Sequence, residues 1–166
     1  MINTKKQISL IDSIYLDEYI LFRGGPMSHL KLQKILYYIQ SYHLAYFNDP
    51  LIEDDFEAWV HGPVTRKLFQ NLKDLSKLHD ELVYELGVET PDKILKKVLT
   101  EDQIELIDDV IEAYCPLSGF QLETLTHSEE PWQTARKGYG IAEKCSEIIP
   151  KEIMKNFYRS LLYVQV

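Results

Sequence analysis

The sequence predicts a mainly α-helical, compact single domain with a small antiparallel β element around residues 56–61. Two observations support this prediction. Through most of the 166 residues, apolar side chains recur every three or four positions, which places them on one face of an α-helix. Residues 56–61 alternate apolar and polar side chains instead, which is typical of a strand. Because no repeat, low-complexity tract or linker divides the chain, residues 1–166 are expected to form one domain.

Composition and charge narrow the class of function. Hydrophobic residues make up 45% of the chain, which is enough for a core without disulfides. The net charge of -8 repels a phosphate backbone, so nucleic-acid binding is disfavoured, whereas a basic protein partner is attracted. Cys115 and Cys145 form no CxxC motif and suit a reducing cytosol as free thiols. With no signal peptide and no apolar run long enough to span a membrane, the expected location is cytoplasmic.

Two amphipathic helices are predicted in the first third of the chain. The apolar stripe of the first comprises Ile8, Ile11, Tyr15, Tyr19 and Phe22. Residues 23–26 (Arg-Gly-Gly-Pro) end it, because glycine and proline extend a helix poorly. Ser28 is the predicted N-cap of the second helix. Its predicted buried face comprises Leu32, Ile35, Leu36, Ile39, His43 and Tyr46. Its predicted opposite face comprises Lys31, Lys34, Tyr38 and Ser41. Residues 48–50 (Asn-Asp-Pro) predict a turn after it.

The middle of the chain is predicted to hold the β element. Gly62 and Pro63 are expected to stop the strand at 56–61, with Pro63 in the first turn of a helix. The apolar positions of that helix are Leu68, Leu72 and Leu75. Residues 77–99 are the least regular and are interpreted as a loop with a short strand at 82–86. A segment at 144–149 is the natural strand partner of residues 56–61.

Two capping boxes define the second half. Thr100 with Gln103, and Ser118 with Gln121, each predict a helix start. The first helix has Ile104, Ile107, Ile111 and Tyr114 on its core face and ends at Cys115-Pro116, and the second runs to about His127. Prolines 131 and 150 are predicted in the first turns of two more helices. The last helix carries a buried stripe of Ile153, Met154, Phe157, Tyr158, Leu161 and Leu162.

Five histidines raise the hypothesis of a metal site: His29, His43, His61, His79 and His127. No two of them have a ligand spacing such as HxxxH, and structural zinc normally needs three or four clustered ligands. The favoured interpretation is that none of them binds metal and that the protein has no cofactor.

Catalysis and DNA recognition are also weighed. A cysteine hydrolase would need Cys115, His127 and Glu130 to converge. The favoured interpretation is instead that Cys115 is a packed helix-end residue and that the protein is not an enzyme, since GxSxG, Walker and GxGxxG motifs are missing from the sequence. A DNA-reading helix would have only Lys31, Gln33, Lys34 and Gln40 to use, and an ordinary solvated face is favoured.

The segment around Trp59 leaves two interpretations open. Trp59 and His61 fall on the face opposite Phe56 and Val60, beside a Gly-Pro turn. An aromatic side chain on the less buried face of a strand is often an interface anchor. Alternatively, helices cover both faces of the strand and Trp59 is buried.

Two sequence blocks resemble a known family. Residues 30–64, LKLQKILYYIQSYHLAYFNDPLIEDDFEAWVHGPV, resemble the KLQKLLYY helix, turn and AWxHGPV segment of the Panacea domain, the SocA-like, phage-associated antitoxin family. Residues 113–136, AYCPLSGFQLETLTHSEEPWQTAR, are similar to its second block, YGxLS followed by LTHxExPWxxAR. Cys115-Pro116 departs from the family pattern, which has glycine after the tyrosine.

The resemblance implies an antitoxin of bacterial or phage origin that neutralises a cognate protein toxin by direct contact, without enzymatic activity. The motif residues carried over are Trp59, His61, Gly62, Pro63, Thr126, His127, Glu130 and Trp132. They either contact the toxin or hold the fold together. A protein-interaction adaptor and an unrecognised cysteine hydrolase are the alternatives.

The two blocks are predicted to meet in space. Each joins a turn to aromatic and polar residues that neither helix stripe requires, and large aromatics bury most of their area. A network of Thr126, His127 and Glu130 is expected to fix the second block against the first. Glu130 is expected to bond a histidine or a backbone donor, so that Glu130→Ala would lower the melting temperature.

Overall fold

The computed structural model describes residues 10–72 and 79–164, and within these ranges the protein is mainly helical, as predicted. The helices are α1 Ser13–Gly24, α2 His29–Phe47, α3 Arg66–Leu72, α4 Pro91–Val98, α5 Glu101–Tyr114, α6 Gly119–His127, α7 Glu130–Ala135 and α8 Lys151–Val164. The strands are β1 Met27–Ser28, β2 Phe56–Trp59, β3 Gly62–Thr65, β4 Glu81–Leu82 and β5 Ile148–Ile149.

Helix α2 is the central element of the fold. It packs against α1, α5, α6 and α8 and against strand β3. Fifteen of its nineteen residues are buried, so it has no solvated side of the kind the sequence predicts. The predicted polar face is therefore wrong: Lys34, Tyr38 and Ser41 are fully buried and Lys31 is half-buried. The predicted core residue Tyr46 is 65% exposed, because α2 emerges from its neighbours at its C-terminal end.

Buried glutamines of α2 hold neighbouring backbone in place. Gln40 accepts from the amides of Leu51 and Ile52 at 2.9 and 3.2 Å and donates to Ile52 O at 2.8 Å. Gln33 accepts from the Thr65 amide at 3.0 Å and donates to Thr65 O at 3.3 Å. The interpretation of these side chains as a solvated face is wrong, because each satisfies backbone groups that would otherwise be unpaired in the core.

A three-stranded antiparallel sheet lies beside α2, in the order β3-β2-β5. The strand predicted at 56–61 is present as β2, and its partner from the segment 144–149 is β5, with Phe56 opposite Ile149. Trp59 pairs with Gly62, so residues 60 and 61 form a two-residue hairpin turn. Pro63 lies in β3 and α3 begins only at Arg66, so the predicted helix start at Pro63 is wrong. An edge strand tolerates proline because it needs no amide donor on its outer side.

The segment between α3 and α5 differs from its prediction in part. Strand β4 pairs with β1, with Met27 opposite Leu82, so the strand predicted at 82–86 is shorter and one residue earlier. Helix α4 was not predicted, although Pro91 stands in its first turn. The predicted core positions Ile8 and Leu75 lie outside the described residues.

Local helix signals are confirmed. Ser28 Oγ accepts from the Lys31 amide at 3.1 Å, which caps α2 as predicted. Both capping boxes are formed, at Thr100 for α5 and at Ser118 for α6. The predicted turn after α2 is made by Asn48, which adopts a left-handed conformation at the helix C-cap. These ends depend on residues within one turn of each other, which is why sequence alone predicts them.

Candidate interaction site

The two sequence blocks meet in the folded protein, as predicted. The β2–β3 hairpin lies against α6 and α7, and we call this contact the hairpin junction. Trp132 Nε1 donates to the Trp59 carbonyl at 2.8 Å. The His61 ring approaches the Glu123 carboxylate at 2.9 Å between Nδ1 and Oε1.

Gly62 permits this close approach. Its φ of +99° is strained for any residue with a side chain. A Cβ at Gly62 would lie 2.6 Å from Lys34 Cε and 2.7 Å from Thr126 Oγ1. The hairpin, α2 and α6 therefore meet at a point where only a glycine fits.

Lys34 is buried beneath the hairpin. Its Nζ donates to the Pro63 carbonyl at 2.9 Å, which anchors β3 to α2. Burial lowers the pKa of Lys34 to about 7, and the nearby Glu123 carboxylate opposes that shift. The junction thus contains a buried amine whose charge is disfavoured by its surroundings.

Trp132 lies between two charged or titratable neighbours. The His127 ring stacks on it with 4.0 Å between centroids and 18° between planes. The Arg136 guanidinium lies 5.0 Å from the Trp132 ring centroid. Burial lowers the pKa of His127, which favours the neutral ring in this stack. The role of this stack is structural, because it fills the junction with planar groups in van der Waals and cation–π contact.

Arg136 ties the sheet to the segment that follows α7. The side chain is buried and donates to the Ala58 carbonyl at 2.8 Å. It also donates to the carbonyls of Gly140, Ile141 and Glu143. A planar guanidinium supplies several donors at fixed angles, so one side chain holds β2 and residues 140–143 together.

The buried carboxylate of the second block is Glu129, and the prediction for Glu130 is wrong. Glu130 is exposed in the first turn of α7. Glu129 Oε1 instead accepts from the Tyr38 hydroxyl at 2.6 Å and lies 3.1 Å from the Tyr158 hydroxyl. Burial raises the pKa of Glu129 to about 6, against the lowering effect of the two hydroxyl donors. Adjacent glutamates differ because α7 turns one toward α2 and α8 and the other toward solvent.

The motif residues fall into two groups by exposure. Gly62, Pro63, Thr126 and Trp132 are buried and His127 is half-buried, while His61 and Glu130 are exposed. The expected network of Thr126, His127 and Glu130 is not formed, because Thr126 Oγ1 donates within its own helix to Glu123 O at 2.8 Å.

Trp59 satisfies neither extreme interpretation. Its side chain is half-buried and makes an edge-to-face contact with Phe69 at 4.9 Å between ring centroids. Arg66 lies 5.5 Å from the Trp59 ring centroid and forms two hydrogen bonds to Glu57, at 2.9 and 2.7 Å. The indole is therefore only partly accessible, beside a charged pair, and its Nε1 atom is buried.

Residues that would support catalysis are arranged unfavourably. Cys115 packs against α1, with its Sγ 2.8 Å from where a Cβ at Gly24 would lie, and burial raises the pKa of its thiol. A nucleophilic cysteine needs the opposite shift. Over residues 10–72 and 79–164, no three His, Cys, Asp or Glu side chains form a group that could hold a metal ion. In the same part of the chain, no helix is long and apolar enough to cross a membrane.

Several residues that build the junction were not predicted to lie there. Lys34, Glu123, Glu129 and Arg136 carry no periodic signal that separates them from solvated charges. All four lie inside the two sequence blocks, and the pattern LTHxExPWxxAR places its glutamate at Glu129 and its arginine at Arg136, so the blocks themselves were the available signal.

Comparison with protein families gives one match. A family model described as "Antitoxin SocA-like, Panacea domain" matches residues 32–133, which is more than half of the chain. The matched range contains the hairpin and most of both sequence blocks. No curated protein and no solved structure matches the chain.

Proposed function

This chain belongs to the Panacea domain family of SocA-like antitoxins, and on that premise we propose that it is the antitoxin of a toxin–antitoxin pair, neutralising a cognate protein toxin by direct binding. The observation that carries the proposal is the family match over residues 32–133 together with the junction that its two blocks build. We place this action in the cytoplasm, because Cys115 and Cys145 are both free thiols.

Binding, as opposed to turnover, accounts for the chemistry of the junction. Its polar groups are used to hold backbone: Lys34 on Pro63 O, Trp132 on Trp59 O and Arg136 on Ala58 O. Groups engaged in this way support a defined surface shape, which is what a protein partner recognises. The raised thiol pKa of Cys115 argues against the hydrolase alternative.

Exposure suggests how the motif residues divide their roles. We propose that Gly62, Pro63, Thr126, His127 and Trp132 maintain the junction. Of the residues singled out in the two blocks, His61, Glu130 and the half-buried Trp59 are then the ones accessible to a toxin. Tryptophan is among the residue types most often found as interface anchors.

Growth rescue tests the proposal. The chain is co-expressed with the protein encoded by the adjacent gene, and colony formation and complex formation by affinity purification are measured. We expect wild type to restore growth and to co-purify with that protein. A His61→Ala/Glu130→Ala variant is expected to lose rescue while its melting temperature falls by no more than a few degrees, because both side chains are exposed. Lys93→Ala, an exposed change on α4, serves as the control and should rescue fully.

Two results would contradict these expectations. If the adjacent gene product is toxic and the chain neither binds it nor restores growth, the antitoxin proposal is wrong for that pair. If the double variant rescues as well as Lys93→Ala does, the exposed motif residues are not part of the interface.

A further inference from the structure

The C-terminal end of α2 lies at the bottom of an apolar groove. Helices α5 and α8 both pack on α2 and flank it. Between them lies a cavity of about 300 Å³, lined by Tyr42, Tyr46, Leu106, Ala113, Leu161 and Leu162. A second cavity of about 290 Å³ continues it past Phe47 and shares Tyr46, Leu106 and Asp109 with it. We call this continuous surface the α5–α8 groove.

The groove is the place where the central helix is left uncovered. Helix α2 is buried along most of its length, yet Tyr46 is 65% exposed and Tyr42 is half-buried. Apolar side chains from α5 and α8 extend this exposed surface on both sides. Contiguous exposed apolar surface marks interaction sites, whereas apolar residues scattered singly over a surface do not.

One wall of the groove is negatively charged. Helix α5 carries six acidic residues and no basic one: Glu101, Asp102, Glu105, Asp108, Asp109 and Glu112. Within the described chain, the only ion pair of these carboxylates joins Asp108 to Arg23 at 3.5 Å. Asp109 and Glu105 line the groove itself. Arg159 at its end is already bonded to Ala45 O and Asn48 Oδ1, each at 3.1 Å. The wall therefore favours a positively charged occupant.

The floor of the groove is held in place from below. Tyr114 stacks on Tyr38 with 4.1 Å between ring centroids and 7° between planes. The hydroxyls of Tyr42 and Tyr114 lie 2.9 Å apart. Tyr38 in turn donates to Glu129, the buried carboxylate of the second sequence block. Because these tyrosine side chains are already held in place, a partner that binds here causes little further loss of conformational entropy.

We propose that the α5–α8 groove binds a basic amphipathic helix. Its apolar side chains, spaced at i, i+3 or i+4 and i+7, would lie on Tyr42, Tyr46 and Leu162. Its lysines or arginines would face Glu105 and Asp109. A third helix laid between α5 and α8 covers the exposed end of α2, which is the usual way an amphipathic helix fills a hydrophobic groove. A second copy of this chain is disfavoured as occupant, because two chains of charge -8 repel each other. The inference rests on the proposed function in that the helix is assigned to the toxin.

A direct binding experiment uses a designed helical peptide of about 18 residues, five turns, with leucine on one face and lysine on the other. A matched peptide carries glutamate in place of lysine. Binding to the full chain is measured by fluorescence anisotropy near 0.1 M NaCl. We expect the lysine peptide to bind at least about tenfold more tightly than the glutamate peptide.

Three variants locate the site. Ala113→Arg puts a bulky cation into the groove at an exposed position and is expected to weaken binding more than about tenfold. Glu105→Gln/Asp109→Asn removes two negative charges from the wall of the groove and is expected to weaken binding of the lysine peptide about fivefold or more. Glu53→Gln/Glu85→Gln removes two exposed charges elsewhere and should change binding less than about twofold. Circular dichroism confirms that each variant remains folded.

Each contrary result overturns the inference. Equal binding of both peptides would show that the acidic wall does not select the occupant. Equal weakening by the two double variants would show attraction to the overall negative charge and not to the groove. A dimer of wild type that Ala113→Arg dissociates would assign the groove to a second copy. Growth rescue separates the two proposals: wild type that rescues growth but fails to bind the lysine peptide contradicts this inference alone. If the lysine peptide binds in the groove but the chain restores growth against no adjacent gene product, only the proposed function is contradicted.

Discussion

Lys34, Glu129 and Arg136 are three of the buried charged side chains of this protein, and each is held by a different local set of hydrogen bonds. Lys34 donates to the Pro63 carbonyl, Arg136 donates to several carbonyls at once, and Glu129 accepts from tyrosine hydroxyls. Hydrogen bonds of this kind offset the cost of burying a charge. These residues therefore position backbone and aromatic groups, and their burial reflects that role.

Glu129 and Glu130 provide a matched pair at adjacent positions. We expect Glu129→Ala to lower the free energy of unfolding by about 3 kcal/mol. It leaves the buried Tyr38 hydroxyl without its acceptor, and it leaves the Tyr158 hydroxyl with Tyr37 Oη as its remaining acceptor. Glu130→Ala should lower the free energy of unfolding by less than about 1 kcal/mol, because it removes only one acidic residue from a helix N-terminus. Urea unfolding at pH 7 measures both. A larger loss for Glu130→Ala would contradict the placement of these two carboxylates.

At the scale of elements, the β2–β3 hairpin determines what the first sequence block does. Its two-residue turn places Gly62 against α2 and α6. Pro63 lies in strand β3, and helix α3 begins only after that strand ends. The Gly-Pro pair in HGPV forms the end of a tight turn and the start of an edge strand. The hairpin in turn supplies the carbonyls on which Lys34, Trp132 and Arg136 converge.

Gly62 and Gly138 separate crowding from backbone strain. Their φ angles are similar, +99° and +92°, but a Cβ at Gly138 meets nothing within 4 Å. Gly138→Ala is expected to destabilise by about 1 kcal/mol through the left-handed backbone alone. Gly62→Ala adds steric overlap with Lys34 and Thr126, so we expect it to lower the free energy of unfolding by about 3 kcal/mol. Thermal and urea unfolding compare the two variants. Equal losses would mean that the junction accommodates a methyl group at Gly62.

At the scale of the whole molecule, α2 connects nearly every other part. It contacts α1, α5, α6, α8 and β3, so loss of any one neighbour exposes apolar surface on the same helix. A core shared in this way favours cooperative unfolding. It also makes the groove at the end of α2 a feature of the whole fold, since its walls are α5 and α8 and its floor reaches Glu129 through Tyr38 and Tyr114.

Two spectroscopic probes test this cooperativity. The only tryptophans, Trp59 and Trp132, are both at the hairpin junction, so tryptophan fluorescence reports on that region. Circular dichroism reports on the helices as a whole. We expect urea transitions from the two probes to coincide in midpoint and slope. A fluorescence midpoint clearly below that from circular dichroism would show that the junction unfolds independently and would argue against one cooperative domain.

The sequence by itself determined the features that depend on neighbours within a few residues. Capping boxes at Thr100 and Ser118 and the cap at Ser28 appear where predicted, because their hydrogen bonds are local. Strand β2 also begins where predicted, although its residues are buried consecutively and not alternately. The family resemblance also indicated that the two blocks belong together, and they meet at the hairpin junction.

Only the tertiary structure decided which polar residues are buried. A helix with one apolar stripe predicts one buried face, yet helices on several sides of α2 bury Lys34, Tyr38 and Ser41 as well. In the same way, Glu129 and Glu130 are chemically identical, and only the direction in which α7 leaves α6 turns one of them toward Tyr38 and the other toward solvent. Burial depends on what the rest of the chain places around a residue, and contacts over such sequence distances leave no periodic trace in the segment itself.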